Sequence, residues 1–351
     1  GQEAGSEFPG VFSEIIDVRV VNLEVIVTDR DGIPVRGLTA DDFVLRVDGE
    51  EVPIGYFTEV RGGMALESEG AEDQVPAIAA LEPGGAVGTS YLVFVDEFFS
   101  IARDRNQVLR SLADNVGFVG PEDRMAVVAF DGQNLEMLST WSSSTEDLQR
   151  VFNRAMGRPA HGLARLAERR QFDFDQLLEA STLLNSGGIS SQDFFRTWLE
   201  PNERFYVDRL TEQLERSVSA ANATLRSFAR PPGRKVLLLL SGGWPYLPAD
   251  FLINNPFRHI WEPYMDQGES LYGPLRDTAN TLGYTIYPVD VPGMDSTLGE
   301  PSVGLSSTTF DRELEAHHTL RHLASETGGK PFINASRLEA MEQVHQDTRS
   351  Y

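Results

Sequence analysis

Cysteine is absent from all 351 residues, which excludes disulfides, thiolate metal sites and a cysteine nucleophile at once. Positive charge is scarce: 30 Lys and Arg stand against 53 Asp and Glu, a formal net charge of -23. A phosphate backbone demands a basic stripe, so nucleic acid is excluded as a partner, and anionic membrane surfaces are disfavoured for the same reason. The acidic balance serves solubility, with divalent cations or basic partners as its other uses. No run of about 18 apolar residues occurs, so no membrane insertion is expected. The chain opens Gly1-Gln2-Glu3-Ala4-Gly5, without a basic and then apolar leader, and the expectation is that any export signal has been removed. G-x-S-x-G, P-loop and H-E-x-x-H patterns are missing too.

What is present is the composition of a folded protein, 41% hydrophobic and 24% charged, long enough for two domains or for one with a large insertion. Residues 1–13 form a Gly/Glu/Ser-rich lead-in. The run VRVVNLEVIVT (18–28), followed by Asp29-Arg30-Asp31-Gly32, predicts a hairpin, and Phe43–Val47 an alternating strand ending at the turn Asp48-Gly49. Residues 14–60 therefore read as a small β-rich, sandwich-like domain. Residues 61–88 change to a linker composition with no sustained period.

Beyond residue 88 strands and helices alternate. Tyr91–Val95, Arg124–Phe130, Lys235–Leu240 and Tyr284–Val289 are continuous apolar runs, expected of strands covered on both faces. Leu135–Leu138 gives a further strand, and Ser144 has capping-box spacing to Asp147. Helical pattern fills 157–230, and the last helices are expected near 310–327 and 336–349, flanking a short strand at 330–333. The order implies an α/β fold: a doubly wound, mostly parallel sheet over 89–351, with a helical insertion at 157–230.

The segments YLVFVDEFFS (91–100), PEDRMAVVAF (121–130), GRKVLLLLSGG (233–243), GYTIYPVDVPG (283–293) and LASETGGKPFINASRLEAM (323–341) resemble the von Willebrand factor A fold. With VVNLEVIVTDRDGIPVRGLTADDFVLRVDG (20–49), the chain is similar to acidobacterial proteins related to that fold. The resemblance covers most of the chain except 157–230 and the aromatic loop 244–275. It implies a bacterial, exported protein, secreted or periplasmic, with a role in protein binding, adhesion or surface assembly, and further β-strands beyond the position of Tyr351.

The resemblance also implies a Mg²⁺ or Ca²⁺ site of oxygen ligands: a D-x-S-x-S run after the first strand, a Thr, and an Asp after another strand. Asp96 and Ser100 match the ends of that run, but Phe98 stands at its first serine. Ser241-Gly242-Gly243 stands where Thr-Asp-Gly is usual, so Gly242 removes the second carboxylate. Asp96, Ser100 and Ser241 are what remains of the site, and Thr182, Ser186 and Ser190 are the candidates for the missing Thr. Asp96 alternatively braces its own loop, since a carboxylate at a strand end accepts from loop amides. Phe98, Asp131, Gly242, Gly243, Trp244 and Asp290 are expected to form a partner-binding rim at the carboxyl ends of the parallel strands.

Enzyme readings fare worse. An aspartyl-phosphate hydrolase built on Asp96 needs a second Asp where Phe98 stands. His318 and His322 have i, i+4 zinc spacing but no third ligand nearby in sequence, and His317 beside them reads as capping or solvated. Asp29, Asp31 and Asp48 are turn residues. Aromatic residues Trp244, Tyr246, Phe251, Phe257, Trp261, Tyr264 and Tyr272 crowd one Pro-punctuated loop, either an interface or a loop pinned by its own rings. The sequence therefore predicts a non-catalytic binding module engaging a protein partner. Its alternative is a self-associating structural subunit that adds strands through the amino-terminal β-domain; a Mg-dependent hydrolase ranks below both.

Overall fold

The computed structural model describes residues 23–30, 33–69, 84–186, 200–229, 231, 233–252, 268–294, 296 and 307–349. Of the expected 18–32 hairpin, residues 18–22, 31 and 32 lie outside the described residues, and an antiparallel bridge joins Thr28 to Pro34. Two small antiparallel pairs follow: β1 (Leu45–Val47) with β2 (Glu50–Val52), and β3 (Phe57–Arg61) with β4 (Met64–Glu69). The stretch read as a linker thus contains β4. Gly62 and Gly63, both at positive φ, make a tight hairpin turn, because only glycine adopts that backbone without strain.

The main sheet comprises β5 (Thr89–Asp96), β6 (Arg124–Phe130), β7 (Leu135–Ser142), β8 (Arg234–Ser241) and β9 (Tyr284–Asp290), in the order β7-β6-β5-β8-β9. All neighbours run parallel except β7, an antiparallel edge with bulged register. At the other edge, the expected 330–333 strand is reduced to one parallel bridge, Phe332 to Val289.

Helices cover both faces, as strands without a polar face require. The helices are α1 (Ala102–Asp114), α2 (Thr145–Met156), α3 (Gly162–Ser186), α4 (Glu200–Ser227), α5 (Pro248–Leu252), α6 (Glu269–Leu282), α7 (Ser307–Ser325) and α8 (Ala340–Thr348). Alternation along the strands sorts the core into two layers. Leu92, Phe94, Val128, Leu237, Leu239 and Ile286 pack against α4, α5 and α6. Tyr91, Val93, Val95, Val127, Leu238 and Val289 pack against α1, α2 and α8. Burying one such side chain stabilises by about 1.5–3 kcal/mol, so the central strand β5, buried at all eight positions, anchors the loop that leaves it. The fold is mixed α/β with a mostly parallel five-stranded sheet, and helices α3 and α4 occupy the 157–230 insertion.

Candidate functional site

Loops from the carboxyl ends of β5, β6, β8 and β9 meet at one end of the sheet. The buried strand β5 delivers Asp96 there with no solvent exposure. Its Oδ1 accepts from the backbone N–H of Phe98 at 3.0 Å and of Phe99 at 3.2 Å, bracing the loop. Its Oδ2 accepts from the indole Nε1 of Trp244 at 2.7 Å. Burial pushes the Asp96 carboxyl up to about 7, and these three neutral donors offset that only in part.

Beside it, Glu97 is also wholly buried. Its Oε1 accepts from Arg158 Nε at 2.8 Å and Arg105 Nη1 at 3.4 Å, and its Oε2 has no hydrogen-bond partner among the described residues. Burial raises the Glu97 carboxyl, and Arg158 and Arg105 pull it back part of the way. Arg105, itself fully buried, also donates to the carbonyl oxygens of Arg158 at 2.8 Å and Pro159 at 3.1 Å. It holds the stretch that leaves α2 against α1.

The remaining expected residues divide sharply. Phe98 is half-buried: its ring meets Phe99 edge-on at 4.9 Å, carries the Arg165 guanidinium 4.8 Å above it, and packs so closely on Gly132 that a Cβ there would lie 2.2 Å away. Asp131 is half-buried and its oxygens accept from Gln133 N, Asn134 N and Asn134 Nδ2, all within its own turn. Gly242, Gly243, Trp244 and Asp290, expected on an open rim, face inward and are buried. A Cβ on Gly242 would stand 2.1 Å from the Val291 carbonyl oxygen, and one on Gly293 would stand 2.3 Å from that of Phe99. Three loops therefore interlock, backbone against backbone. Asp290 lies 3.8 Å from His317 Nε2 and 3.9 Å from Arg337 Nη1, and the Arg337 guanidinium also approaches the buried Asp104.

A Mg²⁺ or Ca²⁺ ion needs several convergent oxygens, usually with more than one carboxylate. Ser100 and Ser241 are buried at this edge, and their hydroxyls have no partner among the described residues. Against that, the indole N–H fills the approach to Asp96 Oδ2, Gly242 brings no carboxylate, and Asp131 and Asp290 are turned to other partners. The donor set does not fit a divalent cation. Thr182 and Ser186 fall within α3, but their side chains, like Ser190, lie outside the described residues. Among the described residues no group of three His, Asp or Glu side chains is placed to hold a metal. His318 and His322 instead pack on the ring of Tyr246, at 4.4 and 5.1 Å.

The aromatic loop is pinned by its own rings where it is described. Trp244 and Tyr246 both stack on Tyr272, whose hydroxyl donates to the Pro245 carbonyl at 2.6 Å, and Phe251 is buried. Phe257, Trp261 and Tyr264 lie outside the described residues.

The open space lies to one side of the sheet edge. A cleft of about 830 Å³ runs between the 131–134 turn, the start of α3 and one face of α4. Phe98 forms part of its wall, with His161, Arg165, Phe205, Arg209 and Arg216 around it. Phe205 is 69% exposed, which is unusual for a phenyl ring. Apart from Phe98 and Asp131, no expectation drawn from the sequence places these residues at a site. Only an outward-facing Phe205 on an otherwise amphipathic helix offers a signal.

No family model matches the chain, and no curated protein matches it. Among solved structures, an aerotolerance-related membrane protein from Bacteroides fragilis NCTC 9343 is 10% identical over 74% of this chain and 100% of its own, at a TM-score of 0.36. A mutant form of the PilB minor pilin from Streptococcus sanguinis is 10% identical over 76% of this chain and 62% of its own, at 0.36. The pilus adhesin SpaC from Lactobacillus rhamnosus GG is 8% identical over 75% of this chain and 30% of its own, at 0.38. This chain thus spans less than two thirds of the pilin and of the adhesin. At such TM-scores the overlap transfers no role to it.

Proposed function

We propose that this chain is a non-catalytic protein-binding module of the von Willebrand factor A type, from an exported bacterial protein, that receives its partner in the cleft beside Phe98. The observation that carries the reading is that cleft, where an exposed Phe205 stands among charges of both signs: Arg165, Arg209 and Arg216 with Asp131, Asp208 and Glu212. Aromatic and arginine side chains are the residues interfaces favour. A reaction centre on Asp96 is disfavoured because a nucleophile or base must reach its substrate, and both Asp96 oxygens are engaged beneath Trp244. The test is affinity capture from the exported fraction of the source cells, using the wild type and a Phe205→Asp/Arg216→Glu variant. A partner retained by the first and lost by the second supports the reading. Equal capture by both sinks it, as does Mg-dependent phosphate-ester turnover that Asp96→Asn abolishes.

A second reading, a self-associating structural subunit, draws on the amino-terminal unit. There Leu23, Val25, Ile33, Val35, Val44 and Val47 are each more than 40% exposed. Apolar exposure at so many positions of one small unit is what a covering partner would relieve. A strictly monomeric population at high concentration, by light scattering, counts against it.

A further inference from the structure

The buried carboxylate at the end of β5 needs a donor or a cation on each of its oxygens, since an unmet charge in this setting is costly. The loop amides serve Oδ1, and the partner of Oδ2 comes from 148 residues along the chain. We infer that the indole N–H of Trp244 takes the place a divalent cation would hold at this sheet edge, joining the loops after β5 and β8 without metal. The inference does not rest on the cleft as a partner site.

Three features carry it. First, contact is direct: Nε1 to Oδ2 is 2.7 Å, so the indole hydrogen takes up one lone-pair direction of that oxygen, at about the distance an ion would bind it. Second, the ring is held from behind, because Trp244 is 1% exposed and stacks on Tyr272, which is tied to the Pro245 carbonyl. Third, the backbone is shaped to deliver it. Gly243 at φ +76 turns the chain, and Gly242 lets that turn lie flat on Val291. An indole donates one hydrogen bond and can satisfy only the carboxylate.

The test is thermal unfolding of the intact chain in EDTA and in millimolar Mg²⁺, Ca²⁺ and Mn²⁺, with Mn²⁺ binding followed by electron paramagnetic resonance. The wild type is expected to melt at one temperature in all four solutions and to leave Mn²⁺ free. A Mn²⁺ signal or a rise in melting temperature that disappears in Asp96→Asn overturns the inference, and needs no variant of the tryptophan. Trp244→Phe removes the donor and also leaves a cavity, a loss that the double-variant cycle separates from the hydrogen bond. It is expected to melt several degrees lower, and Trp244→Phe/Asp96→Asn no lower than the worse single variant. Strictly additive losses would mean that the two groups are uncoupled, which also overturns it.

Discussion

Glu97 and Arg105 form an ion pair buried from bulk solvent, yet they touch through a single carboxylate oxygen at 3.4 Å. Such a pair adds little to stability by itself, because desolvating both charges offsets their attraction; without Arg105, Glu97 keeps its nearer partner Arg158 at 2.8 Å, but the carbonyls that Arg105 serves lose their donor. Arg105→Met is therefore expected to cost about 1–3 kcal/mol, mainly from the released Arg158 and Pro159 carbonyls. Arg105→Lys should recover little, since an ammonium cannot reproduce the planar fork. Urea unfolding measures both, and a loss under about 1 kcal/mol would be incompatible with the buried clamp.

Stability should fall as the solution becomes more basic across the weakly acidic range. The folded Asp96 carboxyl holds its proton up to about 7, against an ordinary value of 3.8 once unfolded. Between those values the folded state binds more protons than the unfolded one. The contribution is complete below the lower value and is lost as pH rises through the upper, amounting to about 4 kcal/mol. Glu97 is displaced in the same direction, also by burial. Denaturant midpoints through this range should decline for the wild type and decline less steeply for Asp96→Asn; a flat wild-type profile refutes the account.

Gly242→Asp restores in name the carboxylate that a metal-binding edge would need, but the backbone leaves it no room. Its Cβ would lie 2.1 Å from the Val291 carbonyl oxygen and 3.3 Å from that of Phe99. Even Gly242→Ala is expected to lower stability by about 3 kcal/mol or more, because both obstacles are main chain. Circular dichroism melts decide it, and a native-like melt for the alanine variant would show that the loops can part.

Phe205→Ser should behave oppositely. With the ring 69% exposed, its loss is expected to change stability by no more than about 0.5 kcal/mol. A matching melt makes this variant a clean probe of cleft binding, whereas a large loss would place the ring in the core.

The four parallel strands are legible because each is a short, uninterrupted apolar run, the signature of a strand covered on both sides. The direction of β7 is not, since LEMLSTWS carries no mark of antiparallel pairing. The composition of 61–88 suggests a linker because glycine and glutamate dominate it, yet Gly62-Gly63 is the turn of a hairpin. At the site, the brace from Asp96 to its own loop can be reasoned from sequence, being local. The partners that complete it cannot: Trp244 is 148 residues from Asp96, and Arg158 is 61 residues from Glu97. Such pairings are decided by which loops the sheet order brings together.

The hairpin turn at Gly62-Gly63 is fastened to the end of α8: the Gly63 amide donates to the Arg349 carbonyl at 2.7 Å, and the Arg349 guanidinium donates to the Gly62 carbonyl at 2.9 Å. The same hairpin is held on its other side by the Val87 amide, which donates to the Gly63 carbonyl at 2.8 Å, and by the Met64–Ala86 bridge, so one glycine turn ties the chain entering β5 to the carboxyl end of α8.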